Sequence, residues 1–215
     1  MTTQTRTPTY FTHIDSPVGR LMIAVGEDGV RAIEFPENRH PVERLGSWIE
    51  LRFAHPGPLP EQMIPTTPGT AEPSRRIVRL LLDTRRQLTE YFERRRKVFD
   101  LPLAPQGTAF QQRVWQALCE IPYGSTWSYA KLSEHIGNPK AARAVGAANG
   151  RNPIPIIIPC HRVVGADGSL TGFGGGLPTK TALLQLESLQ LALCAGYVTG
   201  PHCREAISKR PSLDG

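Results

Sequence analysis

Cysteine is scarce in this chain of 215 residues. The four cysteines are Cys119, Cys160, Cys194 and Cys203. None belongs to a CxxC pair, and the first 118 residues contain no cysteine at all. This distribution argues against a disulfide scaffold and against a four-cysteine zinc site. We therefore expect no metal site, and we predict no cofactor.

Long apolar runs are also lacking. No stretch approaches the roughly 18 uninterrupted apolar residues that a membrane helix needs. Residues 1–16 contain no apolar segment of the kind that a secretory signal carries. Mean hydropathy is −0.27, which is ordinary for a soluble protein. We expect a cytoplasmic protein that does not associate with membranes.

Positive charge is in excess. The formal net charge is +6 and the isoelectric point is about 9.4. Residues 75–97 alone hold nine Arg or Lys and three acidic residues. Such a balance suits a polyanionic partner, usually nucleic acid. A solvated helix face would account for these arginines equally well.

The first half of the chain predicts a small α/β unit. Residues 9–36 contain three short apolar runs separated by turn sequences, which predict an antiparallel meander. Residues 37–74 are rich in proline and predict a long loop or insertion with one helical turn around Trp48. A helix over 74–97 and a short strand in "VFDLPL" follow. We predict an N-terminal domain at 1–103, a second domain at 104–190 and a tail at 191–215.

The second half predicts short helices with recognisable caps. Thr108 with Gln111 forms a capping box, and Ser128 caps the next helix. Asn138 is predicted to cap a third helix, with Pro139 in its first position. Two short helices joined by a tight Gly-Asn turn are a helix-turn-helix candidate.

The second helix of that pair, "PKAARAVGAANG", is unusual because most of its side chains are small. Arg143 is the only large residue after Lys140. Helices that read bases in the major groove generally carry Arg, Asn or Gln. This helix is therefore suited to close approach, either to a flat surface or to another helix.

In the string "NPIPIIIPCHRVVG", residues 152–165, an apolar run is followed directly by reactive and charged residues. Cys160 is a candidate nucleophile, and His161 is its candidate base. Glu187, on an apolar helical face, is the candidate that orients the histidine, while Asn152 can brace the turn. Cys160 as a small buried core residue is the competing interpretation. The isoleucine run itself predicts a buried strand.

The glycine-rich stretch "GADGSLTGFGGGL" follows directly. It lacks the GxxxxGK[ST] pattern and does not join a strand to a helix in a βαβ unit, so it is not a phosphate loop. Glycines beside a nucleophile let the backbone approach a flat ligand. A simple hairpin is the alternative.

Residues 108–187 closely resemble the methylated-DNA–protein-cysteine methyltransferases, or O6-alkylguanine-DNA alkyltransferases. The shared strings are "FQQRVWQAL", "IPYGSTWSYAKLSEHIGNPKAARAVGAANGRNPIPIIIPCHRVVG", "GSLTGFGGG" and "KTALLQLE". The resemblance implies an N-terminal ribonuclease-H-like α/β domain and a mainly helical, winged-helix-like domain with a helix-turn-helix. It also implies irreversible, single-turnover transfer of the alkyl group of O6-alkylguanine, and of O4-alkylthymine, to the protein.

The resemblance assigns roles to individual residues. Cys160 corresponds to the alkyl acceptor, and His161 and Glu187 to a relay that deprotonates the thiol through water. Asn152 corresponds to the residue that braces the turn. The tyrosine that protonates guanine and rotates a phosphate corresponds to Tyr129. The arginine finger that replaces the flipped base corresponds to Arg143, and Val163, Phe173, Gly174 and Lys180 fall where the family lines its guanine pocket.

Phe173 stands where a tyrosine is common in the family. The predicted DNA-binding set also includes Asn138, Gln111, Ala142 and Gly146. The implied partner is double-stranded DNA approached from the minor groove. We expect a monomer that is capable of cooperative binding. Some members bind zinc in the N-terminal domain, but this chain has no cysteine there.

Three other functions remain open. A cysteine hydrolase could use Cys160, His161 and Asn152, although the cysteine and histidine of such enzymes are rarely neighbours in sequence. A non-reactive lesion sensor of the alkyltransferase-like type replaces the acceptor cysteine, which is present here. A helix-turn-helix regulator would need base-reading residues on its second helix.

Overall fold

The computed structural model describes residues 9–36, 48–53, 63–65 and 73–188, with the backbone alone for 48–53 and 63–65. The tail after 188 and most of the 37–74 insertion lie outside these ranges. No helix in the described part of the chain is long and apolar enough to cross a membrane.

The N-terminal half is a five-stranded sheet with one long helix. Its strands are β1 (Thr9–Ile14), β2 (Leu21–Gly26), β3 (Gly29–Glu34), β4 (Trp48–Phe53) and β5 (Met63–Pro65). They are ordered β3-β2-β1-β4-β5. β1, β2 and β3 pair antiparallel, β1 pairs parallel with β4, and β4 pairs antiparallel with β5. The predicted meander is confirmed.

The prediction for the insertion is wrong at Trp48. This residue begins strand β4 rather than a helical turn, and β5 also belongs to the segment that we expected to be irregular. Within "WIELRF", the last five residues alternate between apolar and polar, which is the period of a strand with one buried face. That local pattern outweighs the proline-rich composition around it.

Helix α1 (Arg75–Phe92) packs against the sheet. Ser74 caps it by accepting a hydrogen bond from the Ile77 main-chain nitrogen. Its apolar side chains Ile77, Leu80, Leu81 and Leu88 are buried. The helix ends at Phe92, earlier than expected, and Arg94 takes a positive φ of 60°. Such a backbone conformation ends a helix.

Residues 98–103 are not the short strand that we predicted. Leu103 makes only an isolated bridge to Val30, supported by hydrogen bonds from the Val30 nitrogen to the Pro102 oxygen and from the Ala104 nitrogen to the Val30 oxygen. The segment therefore lies beside the edge strand β3 and hydrogen-bonds to it at Val30. Pro102 cannot donate to a ladder, which limits the pairing.

The C-terminal half is mainly helical. It contains α2 (Ala109–Leu118), β6 (Trp127–Ser128), α3 (Tyr129–His135), α4 (Ala142–Gly150), β7 (Val163–Val164) and α5 (Gly176–Ser188). The Thr108 capping box and the Ser128 cap are confirmed. The buried Trp115 of α2 donates its indole N–H to the Ala148 oxygen of α4, 2.9 Å away, and so fixes the two helices together.

The predicted cap at Asn138 is wrong. Asn138 makes no side-chain cap hydrogen bond, and a 3-10 turn at Pro139–Ala141 separates it from α4, which begins at Ala142. Asn138 has φ −136° and ψ 72°. This backbone is not helical, which agrees with the bias of a residue before proline away from the helical region.

Candidate active site and DNA-binding surface

Cys160 is buried at the start of a 3-10 turn, Cys160–Arg162, which leads into β7. The isoleucine run before it is not the strand that we predicted. It is a buried turn in which the Ile158 nitrogen bonds the Ile154 oxygen and Ile156 adopts a positive φ of 74°. Positive φ is strained for a β-branched residue. Prolines on both sides of the run remove the N–H groups that a strand ladder needs.

Two asparagines hold this turn. The Asn152 side chain donates to the Ile158 oxygen at 2.7 Å and accepts from the Ile154 nitrogen at 3.0 Å, so it spans the turn as expected. Asn149, at the end of α4, donates to the Cys160 oxygen at 3.4 Å. Sequence reasoning missed Asn149. Its bond links α4 to the cysteine turn.

His161 and Glu187 form a fully buried pair. The distance from His161 Nε2 to Glu187 Oε1 is 2.9 Å, and the two side chains are 0% and 1% exposed. An ionised carboxylate only accepts, so it favours the tautomer that carries its proton on Nε2. Nδ1 is then the basic atom of the neutral ring. It is buried, and none of the described side chains or main-chain groups hydrogen-bonds it.

Glu187 accepts further hydrogen bonds that the sequence did not predict. Arg162 donates Nε to Oε2 and Nη2 to Oε1, both at 2.9 Å, in a bidentate pair. The Gly124 nitrogen donates to Oε2 at 3.0 Å, and the Tyr91 hydroxyl donates to Oε1 at 2.8 Å. Arg162 could have been predicted as a partner of Glu187, because it is part of the "PCHR" motif. Tyr91 could not, because it lies on α1, far from that motif in the sequence.

Burial and hydrogen bonding set the charges of these groups. Burial alone would raise the pKa of Glu187, but the hydrogen bonds and charges of His161 and Arg162 outweigh it and hold this pKa far below its usual range. Burial lowers the pKa of His161, against the opposing pull of Glu187. Burial also raises the pKa of the Cys160 thiol to about 11, although Asn152 and the charge of Lys180 oppose this.

These pKa directions differ from those of a resting imidazolium–thiolate pair, in which a neighbouring histidine would lower the pKa of the thiol below about 8.5. A buried site favours the neutral thiol and the neutral imidazole instead, because ionising both groups there would cost their hydration. At rest, Cys160 is therefore mainly a neutral thiol, and its proton must be removed on the way to the thioether.

The predicted pocket residues lie on β7, in the glycine-rich loop and on α5. Val163 is buried in β7, directly after the cysteine turn. Lys180 is buried without a carboxylate partner among the described residues, and it donates Nζ to the Val163 oxygen at 2.6 Å and to the Thr171 oxygen at 2.8 Å. It thus ties the glycine-rich loop to β7. Phe173 packs against Phe35 of the N-terminal half, and Gly174 is exposed where the loop enters α5.

Tyr129 lies at the edge of the same loop. It begins α3, directly after β6, which pairs with β7. Its hydroxyl donates to the Thr171 oxygen at 3.3 Å. A Cβ on Gly146 would lie 3.6 Å from the Tyr129 ring, which is an ordinary van der Waals contact. The predicted residues Tyr129 and Gly146 are therefore neighbours.

The remaining predicted DNA-binding residues lie on the outer face. Arg143 and Asn138 are exposed, and Ala142 is half-buried at the start of α4. Gln111 has a structural role, since its Oε1 accepts a hydrogen bond from the Thr108 main-chain nitrogen at 2.8 Å in the capping box. The side chains of Arg143 and Asn138 are thus available to a large partner.

Comparison with known proteins matches both halves of the chain. The model of the 6-O-methylguanine DNA methyltransferase ribonuclease-like domain matches residues 9–105, and the model of the DNA-binding domain matches residues 109–189. The chain thus has the class of architecture that we predicted: a ribonuclease-like N-terminal domain followed by a DNA-binding C-terminal domain.

Individual relatives agree. A methylated-DNA–protein-cysteine methyltransferase of Methanosarcina barkeri is 42% identical over 182 residues, covering 85% of this chain and 99% of that protein. One from Mycobacterium bovis is 60% identical over 101 residues, 47% of this chain and 61% of that protein. The crystal structure of Mycobacterium tuberculosis OGT in complex with DNA superimposes with a TM-score of 0.66 at 40% identity, covering 84% of this chain and 94% of that one.

The chain belongs to the methylated-DNA–protein-cysteine methyltransferase family, and the resemblance drawn from its motifs is confirmed. It is an enzyme of DNA alkyl repair.

Proposed function

We propose that this protein transfers the alkyl group of O6-alkylguanine, and of O4-alkylthymine, in double-stranded DNA to Cys160, irreversibly and once per molecule. The observation that carries the proposal is the buried Cys160 thiol, directly followed by a His161 that is hydrogen-bonded to Glu187 at 2.9 Å. This combination supplies a nucleophile, a base and a group that orients the base.

The chemistry follows from those three groups. Cys160 Sγ attacks the alkyl carbon, the S–C bond forms, and the C–O6 bond breaks with its electron pair going to the base. The thiol proton passes through a water molecule to His161 Nδ1, the ring atom that faces away from Glu187. The released guanine takes up a proton, which Tyr129 supplies. Cys160 ends as a thioether, a poor leaving group, so the protein stops after one transfer.

A neutral resting thiol is compatible with this scheme. The pKa of Cys160 is raised to about 11 by burial, so free thiolate is rare at neutral pH. Entry of the base places the alkyl carbon next to Sγ, and proton transfer to His161 can then accompany the attack. Asn152 and Lys180 stabilise the developing thiolate, because both lower the pKa of the thiol. We assign Val163, Phe173, Gly174 and Lys180 to the pocket that receives the base.

The lesion must leave the stack to reach a buried thiol. We propose that α4 lies in the minor groove, where few sequence-specific contacts are available and where its small residues permit close approach. Arg143 would fill the gap left by the extruded base. Asn138, Gln111, Ala142 and Gly146 would complete the contact. In this arrangement α3 and α4 form the helix-turn-helix of a winged-helix-like domain.

The scheme needs one copy of the chain. We propose a monomer that can bind cooperatively along DNA and that acts in the cytoplasm without metal or cofactor. A lesion sensor without catalysis is the second candidate function. The presence of Cys160 disfavours it.

The test is intact mass spectrometry after incubation with excess duplex oligonucleotide that carries one O6-methylguanine. The wild-type protein should gain the mass of one methyl group and no more. Cys160→Ala should gain none while still binding the duplex. Unchanged wild-type mass, or methyl uptake beyond one equivalent, would contradict the proposal.

A further inference from the structure

Tyr91 connects the N-terminal half of the chain to the Glu187 carboxylate. It lies on α1, is completely buried, and donates its hydroxyl to Glu187 Oε1 at 2.8 Å. The same oxygen accepts from His161 Nε2 at 2.9 Å. Tyr91 and His161 therefore share one acceptor atom, although they come from different halves of the chain.

The ring of Tyr91 does not by itself require a hydroxyl. It packs against Phe92, Phe99 and Tyr123, with ring centroids 5.4 to 6.1 Å apart. A phenylalanine would fill the same space. The hydroxyl adds a hydrogen bond to a buried charge, and bonds to charged groups are stronger than neutral ones.

A donor to Glu187 changes what Glu187 does to His161. The negative charge of the carboxylate attracts a proton onto the imidazole. Each hydrogen bond that Glu187 accepts from another group disperses part of this charge and weakens the attraction. Arg162 and the Gly124 nitrogen act in the same direction from within the C-terminal half.

We propose that Tyr91 is a positioning residue for alkyl transfer: its hydroxyl holds Glu187 in place and disperses its charge, so that the N-terminal half sets the proton affinity of His161. The inference rests on the proposed relay. The charged and titratable groups around the His161–Glu187 pair are Tyr91 on α1, Tyr123 after α2, Cys160 and Arg162 in the cysteine turn, and Lys180 on α5.

The sign of the effect can be worked out. His161 must be neutral to accept the thiol proton, so the transfer rate falls as the pH drops through the pKa of His161. In Tyr91→Phe the carboxylate loses a donor, and its stronger negative charge stabilises the imidazolium. The acidic limb of the rate profile should move to higher pH, by about half a unit or more for a hydrogen bond lost from a charged group.

The experiment is a set of single-turnover rates between pH 5.5 and 9 on duplex DNA with one O6-methylguanine. Tyr91→Phe is compared with wild type and with Tyr123→Phe, the matched control. Tyr123 neighbours Tyr91, but its hydroxyl donates to the Leu186 main-chain oxygen at 3.4 Å rather than to Glu187. Its profile should overlay that of wild type.

A second variant keeps the test independent of folding losses. A 3-fluorotyrosine at position 91 has nearly the same shape but a more acidic hydroxyl, so it is a stronger donor. It should move the acidic limb in the opposite direction, to lower pH. Opposite shifts by the two Tyr91 variants, with none in the control, support the inference.

Two failures are distinguishable. If wild-type protein transfers the methyl group but both Tyr91 variants have the wild-type profile, Tyr91 is only a core residue and the inference is wrong. Reduced thermal stability without a profile shift has the same meaning. If wild-type protein takes up no methyl group at all, the proposed function fails and the inference fails with it.

Discussion

Four residues donate hydrogen bonds to the Glu187 carboxylate. Its two oxygens accept from His161, Arg162, Gly124 and Tyr91, and its side chain is only 1% exposed. A buried carboxylate with this many donors stays ionised at any pH at which the protein is folded. It can therefore orient His161 and counter the charge of Arg162 at the same time.

Glu187→Gln should slow alkyl transfer and change its pH dependence. Glutamine cannot stabilise the imidazolium by charge, so the pKa of His161 falls further, the base weakens, and the acidic limb of the rate profile moves to lower pH. The measurement is the single-turnover rate against pH. The control is Glu120→Gln, which removes the carboxylate that faces the surface residue His135 at 2.8 Å. If the Glu187→Gln profile overlays that of wild type, the relay assignment is wrong.

The same residues predict how stability depends on pH. Glu187 has a lowered pKa in the folded protein, so its contribution is complete above its unfolded pKa of about 4.3 and is lost as the pH falls through its folded value. His161 also has a lowered pKa, so its contribution is lost as the pH falls below about 6.5.

Urea unfolding from pH 7.5 to 3.5 measures this dependence. Near neutrality, Glu187→Gln should lose about 3 to 5 kcal/mol, because Arg162 keeps a buried charge without its carboxylate. The difference between variant and wild type should shrink below about pH 4.3, because there the unfolded wild-type chain takes up a proton at Glu187 that the folded protein does not bind. A difference that stays constant across this range would contradict the assigned pKa direction.

At the scale of elements, local signals predicted more than composition did. The Thr108 capping box and the Ser128 cap were readable because the donors and acceptors lie three residues apart. The strand at Trp48–Phe53 was missed because our prediction followed the proline-rich composition of the segment and not its local alternating pattern. The run Ile156–Ile158 was misread because a buried turn and a buried strand are equally apolar.

Helix α4 is the element that we expect to open the DNA duplex. Arg143 is exposed on a helix of small side chains. Its guanidinium can occupy the space of an extruded base and stack on its neighbours. Arg143→Ala should be markedly slow on duplex DNA, less so on single strands, and near wild type on free O6-benzylguanine. Unstacking costs a few kcal/mol, and only the duplex requires it in full.

Single-turnover rates on the three substrates decide the role of Arg143. Arg143→Lys should recover only part of the duplex rate, because lysine lacks the planar head that stacks. Lys140→Ala, an exposed neighbour, is the control for loss of charge alone. Equal slowing of Arg143→Ala on all three substrates would mean that Arg143 supports the pocket or the fold.

At the scale of the whole molecule, the two halves meet around the cysteine turn. The Ile33 nitrogen donates to the Pro153 oxygen at 2.9 Å, Phe35 packs on Phe173, and Tyr91 reaches Glu187. The family motifs contain the C-terminal partners of these contacts, so those residues could be predicted. The N-terminal partners could not, because residues that are 96 or more positions apart in sequence leave no local pattern of their contact.

Charge acts over the whole surface, and DNA binding should weaken with salt. Neutralising phosphates releases counterions, so affinity should fall steeply between 50 and 200 mM salt. Lys131, Lys140 and Arg151 are exposed on the C-terminal half. Lys140→Ala should reduce the slope of log affinity against log salt by about 1. Arg79→Ala, an exposed arginine of α1, is the control and should leave the slope unchanged. A flat affinity over this salt range would rule out a basic contact surface.

The central claim is that the alkyl group is transferred to Cys160 and to none of the other three cysteines of the chain. Protein incubated with duplex DNA that carries isotopically labelled O6-methylguanine is digested, and the labelled methyl group is located by tandem mass spectrometry. The account predicts one labelled S-methylcysteine, at Cys160, and none at Cys119, Cys194 or Cys203. A label on any other residue, or no label on the protein while the DNA is repaired, would contradict it.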